Sequence, residues 1–211
     1  MNEPYIVLLA PSAAECELKK SRFIAHLQPV SSEAEAQDFV NSIKKQYYDA
    51  RHNCYAYIIG KNADTVKYSD DGEPSQTAGL PMFNVLKESG IRNACVVVTR
   101  YFGGTLLGAG PLARMYADAV KLAVAEARIG VMQYGIEFRI ETDYSDGEKI
   151  RRLVEKETGV ELVDITYGAG QSFLLRTGFD EFERLSAAVT SLTAGRAQIS
   201  KKKESYFLTE Q

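Results

Sequence analysis

The sequence predicts an α+β protein made of two successive domains, and three observations lead to this prediction. Segments with the period-two pattern of strands and segments with the 3.6-residue pattern of helices both occur along the 211 residues. The pattern resets near residues 128–133, which indicates a domain boundary and predicts domains over 1–130 and 131–211. Beyond the boundary, the segments follow the order β-α-β-β-α-β. That order is the split arrangement of ferredoxin-like folds.

The first domain contains five predicted strands. "YIVLLA" and "CELKKSRFIAHLQPV" predict an opening pair, separated by a turn at Pro11–Ala14. "NCYAYIIG" and "DTVKYS" predict a β-hairpin around a loop at Lys61–Asp64. The run "ACVVVT" is continuously apolar and β-branched, which favours a buried strand.

Three helices are predicted among these strands. The first lies in "SSEAEAQDFVNSIKKQYY", where Ser31 or Ser32 can cap the helix and Glu35 completes a capping box. A short second helix grows out of the turn-rich segment "DDGEPSQTAGLP". The third is long, over about Pro111–Ala127, with Gly110 at its cap.

The second domain supplies four strands and two helices. Its strands are "GIEFRIETDY", "VELVDITYG", "QSFLLRTGF" and "AQISKKKESYFLTE". "SDGEKIRRLVEKETG" and "DEFERLSAAVTSLTAG" predict the helices, one after the first strand and one after the third. Some 80 residues suffice for a ferredoxin-like domain of this kind.

Composition limits the function classes. The formal net charge is −3 and the three cysteines Cys16, Cys54 and Cys95 form no C-x-x-C pair, so neither a disulfide scaffold nor a local zinc site is indicated. Phosphate binding would have to come from a local basic patch. The apolar run near the amino terminus is too short for a signal peptide or a membrane span. We therefore expect a cytoplasmic, soluble protein with no membrane partner, no metal and no cofactor.

The most informative stretch is "RYFGGTLLGAGPLARMYADAV", which follows the predicted buried strand and leads into the third helix. The first amides of a helix have no internal partners and attract anions. Arg100 leaves the strand, and Arg114 lies in the predicted first turn, where the helix dipole disfavours a cation unless an anion is present. Two guanidinium groups and free amides could hold a phosphate. The candidate anion- or nucleic-acid-binding residues are Arg100, Gly103, Gly104, Thr105, Gly108, Gly110 and Arg114.

A purely structural interpretation of the same residues stays open. Gly103 and Gly108 have the glycine spacing of a Walker loop, but the lysine that would clamp phosphate is absent, and no G-x-G-x-x-G occurs. Arg114 has Asp118 four residues along the helix as a ready partner. Arg100 could pair with Asp70 or Asp71, and the glycines could permit close packing.

Nearby polar residues supply supporting candidates but no catalytic set. His52 and Cys54 are two apart on a strand, so their Cβ atoms are about 6.5–7 Å apart, too far for direct activation of the thiol. The acidic turn of Asp70, Asp71 and Glu73 lacks the alternating spacing of a calcium loop. No catalytic residue and no metal ligand is predicted. His52, Asp70, Asp71 and Glu73 remain as residues that could support the anion site.

Four blocks of the sequence, in order, resemble the IMPACT family and in particular its bacterial YigZ-type members. The blocks are "SRFIAHLQPVSSEAEA", "HNCYAYIIG", "SDDGEPSQTAGLPM" and "VVVTRYFGGTLLGAGPLARMY". The resemblance implies that domain 1–130 is an IMPACT domain with the fold of ribosomal protein S5 domain 2, which domain IV of elongation factor G and GHMP kinases share. It implies that domain 131–211 is similar to domain V of elongation factor G.

The resemblance also implies a role in translation. Eukaryotic relatives regulate initiation by binding a large activator of an initiation-factor kinase, and a nucleic-acid- or ribosome-linked role is inferred for bacterial members. We therefore expect a non-enzymatic, translation-associated binding protein whose partner is RNA, the ribosome or a protein of translation control. Two alternatives stay open. One is a small-molecule enzyme, either a GHMP-kinase-like phosphotransferase or a cysteine-based hydrolase, and the other is a protein–protein adaptor.

Overall fold

The computed structural model describes residues 2–209, which form a mixed α+β structure with two sheets and five helices. Two compact units can be distinguished, one over Tyr5–Val131 and one that combines residues 2–4 with residues 132–209. The strands are β1 Tyr5–Leu8, β2 Ser12–Leu18, β3 Ser21–Pro29, β4 His52–Ile59, β5 Thr65–Ser69, β6 Ile91–Arg92, β7 Ala94–Tyr101, β8 Ile129–Thr142, β9 Val160–Tyr167, β10 Gln171–Thr177 and β11 Gln198–Thr209. The helices are α1 Glu33–Gln46, α2 Gly79–Glu88, α3 Ala109–Ala125, α4 Tyr144–Lys156 and α5 Phe179–Leu192.

The unit over residues 5–131 is built on a five-stranded antiparallel sheet with helices on both faces. Its strand order is β2-β3-β7-β4-β5, so β7 lies in the middle. Alternate residues of β7 point to opposite faces. Val96 and Val98 pack in the core under α2 and α3, whereas Cys95 and Val97 pack in the core under α1. Burial on both faces explains why residues 94–98 of β7 are apolar without interruption.

Helix α1 begins as its sequence predicts. Ser32 is the N-cap, and its side chain accepts a hydrogen bond from the Glu35 amide at 3.2 Å. The Glu35 carboxylate in turn accepts from the amide and hydroxyl of Ser31, each at 2.7 Å. The predicted hairpin of β4 and β5 is also confirmed, with Ile59 paired to Thr65 across its loop.

The predicted single strand over "CELKKSRFIAHLQPV" is wrong, because the structure folds it into a hairpin. Strands β2 and β3 pair as neighbours from Leu18 and Ser21 outward, and Lys19 and Lys20 form the two-residue turn. Both turn residues have positive φ, 49° for Lys19 and 63° for Lys20. Two-residue hairpin turns with positive φ at both positions are usually Asn-Gly or a similar pair, so two lysines gave no turn signal.

The start of α3 also differs from the expectation. The N-cap is Gly108 rather than Gly110, and the Leu112 amide donates to the Gly108 carbonyl at 3.0 Å. Gly108 takes a positive φ of 82°, which a glycine tolerates without strain, so the helix can begin two residues before Pro111. Arg114 is consequently in the second turn of the helix and not in the first.

The unit that ends at residue 209 follows the predicted element order from β8 to β11. Its strands lie in the order β11-β8-β10-β9, with β10 antiparallel to both of its neighbours. Helices α4 and α5 contribute Ile150, Phe182 and Leu185 to a core that includes Phe138 and Phe173 of the sheet.

Gly103 is a glycine because the β2–β3 turn leaves no room for a side chain. A Cβ there would lie 2.1 Å from the Lys20 carbonyl carbon and 2.3 Å from the Ser21 amide nitrogen. The Gly103 amide also donates to the Ser21 hydroxyl at 3.1 Å. Gly110, in contrast, has ordinary φ and no atom within 4 Å of a hypothetical Cβ. The packing interpretation therefore fits Gly103 and not Gly110.

This contrast gives a matched pair of alanine variants. Gly103→Ala must push apart two backbone segments, so we expect it to lower the free energy of unfolding by about 1–3 kcal/mol. Gly110→Ala introduces no contact and replaces a poor helix former, so stability should stay constant or rise by up to about 1 kcal/mol. Urea denaturation of the two variants checks both values. Equal stability of the pair would contradict the close approach at Gly103.

Candidate functional site

The predicted site residues meet where β7 ends and α3 begins. We call residues 103–110, which join the two elements, the glycine loop. In the sheet, Arg100 of β7 is paired with His52 of β4. Strand alternation puts both residues on the same face as Val98 and Cys54, the face that α2 and α3 cover.

A pocket of about 810 Å³ opens at this junction. Its polar wall contains two carboxylates, two guanidinium groups and one imidazole, from Asp49, Glu73, Arg51, Arg100 and His52. Its apolar lining comes from Pro74, Tyr101, Phe102, Leu106, Leu107 and Leu112. Gly108 and Ala109 of the glycine loop complete it. The volume falls in the range that small-molecule sites usually have.

Arg100 forms a buried ion pair with Glu73. Arg100 Nη1 donates to Glu73 Oε1 at 2.7 Å, and the two side chains are only 8% and 4% exposed. The same carboxylate accepts from the Tyr116 hydroxyl at 2.8 Å. The expectation that Arg100 pairs with Asp70 or Asp71 is thus wrong. Arg100 is already neutralised and belongs to the wall of the pocket, rather than reaching out as a free cation.

The guanidinium of Arg100 is nevertheless not fully satisfied. Its Cζ lies 5.5 Å from the ring centroid of Phe23 and 5.7 Å from that of Phe102, within the range of cation–π attraction. Within residues 2–209, Arg100 Nε is buried and has no hydrogen-bond partner. A buried donor left unpaired costs about 1–3 kcal/mol, so this nitrogen, which solvent does not reach, is a local cost of burying the ion pair.

Asp70 and Asp71 stabilise the acidic turn itself. The Asp70 carboxylate accepts from three amides at 2.8–3.0 Å, those of Gln76, Ala78 and Gly79, and so serves the start of α2. The Asp71 carboxylate accepts from Lys44 at 2.6 Å and from the amide of Asn53 at 2.8 Å. Neither carboxylate lines the pocket, in contrast to Glu73.

His52 and Cys54 have separate partners. His52 Nδ1 is 2.9 Å from the Asp71 carbonyl oxygen, which fits a ring N–H donating to it. Cys54 donates to the Asp70 carbonyl oxygen at 3.0 Å and lies 3.4 Å from the Tyr116 hydroxyl. Burial raises the pKa of the Cys54 thiol well above its ordinary value. The two residues therefore do not form a nucleophile–base pair.

Two amides at the start of α3 have no acceptor in the described structure. The first amides of any helix lack intrahelical partners, Pro111 has no N–H, and the Leu112 amide is taken by Gly108. Ala109 and Gly110 are left as donors, and both residues are exposed. Thr105, Gly104 and Gly108 are exposed as well. This part of the glycine loop faces solvent.

Arg114 is an exposed cation above these amides. Residues i and i+4 share a helix face and side chains lean towards the amino terminus, so Arg114 is placed over Gly110. Asp118, its expected partner, pairs with Lys121 at 3.2 Å instead. In the part of the chain that the structure describes, Arg114 takes part in no ion pair.

Several residues of this surface were not predicted. Lys19 and Lys20 are exposed at the β2–β3 turn, whose backbone contacts the position of a Gly103 Cβ. Arg51 is exposed on the pocket rim. No ion pair of these three residues occurs within residues 2–209. The dipeptide "KK" inside a strand pattern was the one available signal for the turn, but recognising it requires the pairing of β2 with β3.

The rim of the pocket also carries exposed apolar side chains. Phe102 is 53% exposed and Leu106 is 84% exposed, whereas Leu107 between the two glycine clusters is buried in the core. Leu107 thus anchors the glycine loop while its neighbours face solvent. Isolated exposed apolar residues are common, but two of them beside a pocket suit contact with a partner.

The fold and site define a two-unit α+β protein with a pocket at a helix start, and comparison with known proteins identifies its family. The Impact N-terminal domain family matches residues 19–124. IMPACT family member YvyE of Bacillus subtilis is 40% identical over 208 residues, which cover 98% of this chain and 94% of YvyE. IMPACT family member YigZ of Escherichia coli is 31% identical over 199 residues, 93% of this chain and 97% of YigZ. The chain belongs to the IMPACT family, as its sequence blocks predict.

A solved structure supports the same conclusion about the fold. The crystal structure of a protein described as hypothetical aligns with a TM-score of 0.61 at 29% identity, and it covers 97% of this chain and 100% of that one. Within residues 2–209, no helix is long and apolar enough to cross a membrane. The same residues contain no group of three or more His, Cys, Asp or Glu side chains arranged to hold a metal ion.

The thiols offer a test of the hydrolase alternative. Burial raises the pKa of all three thiols, that of Cys95 to about 12, but Cys16 is only half-buried, whereas Cys54 and Cys95 are buried and out of reach of a reagent. Because the thiolate is the reactive form, we expect a thiol reagent at pH 8 to modify Cys16 alone in the native protein and all three cysteines after denaturation. Mass spectrometry of the digested protein checks this. Rapid modification of native Cys54 would reopen the hydrolase interpretation.

The ion pair gives a second prediction. Glu73→Gln leaves the buried guanidinium of Arg100 without its counter-charge, so we expect a loss of about 3–5 kcal/mol in the free energy of unfolding. Arg100→Met combined with Glu73→Gln removes both charges and retains an acceptor for Tyr116. This double variant should be more stable than Glu73→Gln alone in urea denaturation. A single variant as stable as the wild-type protein would contradict the proposed importance of the pair.

Proposed function

We propose that this chain is a translation-associated regulatory protein that contacts RNA, on the ribosome or free, through the surface around the glycine loop. Its membership of the IMPACT family supports the general role, because the resemblance implies translation control. The observation that supports the contact surface is a group of exposed cations beside the glycine loop and the helix start that have no ion pair within residues 2–209. These cations are Lys19, Lys20, Arg51 and Arg114.

Local charge matters here because the chain as a whole is acidic. A net charge of −3 gives no general attraction to nucleic acid, so binding must depend on a patch. Elsewhere in the described residues, most of the exposed arginines are paired, although exposed lysines such as Lys67 and Lys156 have no ion pair. Arg22 pairs with Glu15, Arg151 with Glu155, and Arg152 with Glu148. Unpaired cations near amide donors can release counterions from an RNA backbone, which is the main source of affinity for phosphate.

The structure suggests a role for each candidate residue in this proposal. Gly108 and Gly110 expose the backbone at the helix start, Gly104 and Thr105 form the exposed loop ahead of it, and Gly103 fixes the lysine turn beside it. Arg114 would contact phosphate. Arg100, Glu73 and His52 would form the wall of the neighbouring pocket, while Asp70 and Asp71 hold the acidic turn in place.

We also propose the finer fold assignments. The strand order β11-β8-β10-β9 of the second unit is fourth-first-third-second in chain order and supports a ferredoxin-like domain over 131–211 similar to domain V of elongation factor G. For residues 1–130, the resemblance supports the fold of ribosomal protein S5 domain 2. A non-enzymatic role fits the separate hydrogen bonding of His52 and Cys54.

A salt titration of binding tests this function. Wild-type protein and the variants Arg51→Gln and Arg114→Gln would be titrated with structured RNA and with ribosomes at several salt concentrations. Each lost phosphate contact should lower the slope of log affinity against log salt by about 1 and weaken binding to all sequences alike.

The matched control is Lys121→Gln. Lys121 is an exposed cation on the same helix as Arg114, but it is paired with Asp118 and lies two turns further from the glycine loop. The Lys121→Gln variant should bind RNA and ribosomes as the wild-type protein does. An affinity that does not depend on salt concentration, or that falls equally in all three variants, would overturn the proposed contact surface.

A further inference from the structure

We infer that the pocket beside the glycine loop binds a nucleotide, with its base against Phe102 and its phosphate at the free amides of Ala109 and Gly110. This inference rests on the proposed function, since it names the part of an RNA that the site would take, namely an unpaired nucleotide. A free mononucleotide has the same chemistry, and the experiment below separates the two sources.

The charge of the pocket wall argues against a simple anion as the ligand. The carboxylates of Asp49 and Glu73 balance the guanidinium groups of Arg51 and Arg100 in formal charge. Glu73 is also within 2.7 Å of Arg100, and the Asp49 carboxylate accepts from the Tyr101 hydroxyl at 2.7 Å. An inorganic phosphate would therefore find little net attraction in the pocket itself. The donors that stay free are the Arg51 guanidinium on the rim and the amide at the loop end, at Ala109.

The polarity of the wall argues equally against a purely aliphatic ligand. Such a ligand would cover the Arg51 guanidinium and the His52 edge opposite Nδ1, the nitrogen that already bonds to the Asp71 carbonyl, without giving either a hydrogen-bond partner. Polar groups that a ligand buries without a hydrogen-bond partner oppose its binding. The wall suits a ligand that has both donors and acceptors at its edge.

A nucleobase has this combination of properties. Its edge presents donors and acceptors to a mixed polar wall, and its flat faces are suited to aromatic contact. Phe102 is 53% exposed at the rim, with the Arg100 guanidinium 5.7 Å from the ring centroid. Arginine planes and aromatic rings are both usual stacking partners of unpaired bases. The phosphate then lies towards the helix start, where Arg114 is the nearest exposed cation along α3.

Three observations of different kinds thus point to one ligand class. The pocket has the volume of a small-molecule site, about 810 Å³. A charged side chain that is more than nine-tenths buried, Arg100, lines it, with its guanidinium 5.7 Å from the ring centroid of Phe102 on the rim. The helix that begins at its edge has two free amides and a glycine at position 110 that no internal contact explains.

Ala109 permits a sharp test of the amide contact. Proline is favoured at the first position of a helix, and the extended ψ of 158° at Gly108 is compatible with a following proline. Ala109→Pro therefore removes one N–H donor and leaves α3 in place. Ala109→Ser changes the side chain but keeps the N–H and is the matched control. Far-ultraviolet circular dichroism verifies that both variants retain the helix.

Phe102→Ala tests the stacking contact. Its control is Tyr68→Ala, because Tyr68 is 45% exposed in the same unit but is not part of the pocket. The probes are an RNA hairpin, the same hairpin with one bulged nucleotide, the four nucleoside 5′-monophosphates, and inorganic phosphate. Affinities are measured by calorimetry with the full chain at constant salt.

We expect the bulged hairpin to bind at least about fivefold more tightly than the paired one, as a stacked base contributes at this level or above. Phe102→Ala and Ala109→Pro should each remove that preference, and the two controls should keep it. Binding of a mononucleotide that both variants lose, without a bulge preference, also supports the pocket and identifies the source as a free nucleotide.

The opposite results separate the two proposals. If both hairpins bind equally and with steep salt dependence, and no mononucleotide binds, the pocket inference is overturned while the proposed RNA contact stands. If neither RNA nor ribosomes bind but mononucleotides do, the proposed function fails and the pocket stands. Binding of inorganic phosphate as tight as that of mononucleotides would overturn the nucleotide inference, because the base would then contribute nothing.

Discussion

The ion pair between Arg100 and Glu73 connects the parts of the structure on which the site depends. Arg100 is near the end of the central strand, Glu73 belongs to the acidic turn before α2, and the Tyr116 hydroxyl that shares the carboxylate comes from α3. A buried charge requires its partner, since removing one member leaves the other uncompensated. The pair therefore fixes the turn and α3 relative to the sheet at the place where the pocket opens.

The glycine loop combines two structural demands that the sequence alone did not separate. Gly103 must be small because a hairpin turn packs against it, whereas Gly104 and Gly108 have positive φ with open space around them. Gly110 meets neither condition. One end of the loop is thus a packing corner, and the other is an exposed helix start with donors that the fold does not use.

Much of the fold could be predicted from local patterns, and the parts that could not depend on tertiary pairing. The cap at Ser32, the β4–β5 hairpin and the buried strand β7 carry strong local signals. The Lys19–Lys20 turn and the helix start at Ala109 depend on backbone angles for which these residues give little or ambiguous signal. In the site, the position of Arg100 was predicted, but its pairing with Glu73 required the turn to be placed against β7.

The lysine turn illustrates how a protein can retain an unfavourable conformation. Left-handed angles cost a non-glycine residue about 1 kcal/mol each, and Asn-Gly would relieve most of that cost at Lys19 and Lys20. Such a replacement would also remove two charges from the edge of the glycine loop. In the proposed RNA contact, thermostability and affinity would therefore be set in opposition at this one turn, so selection for a more heat-resistant chain would be expected to erode the proposed binding there first.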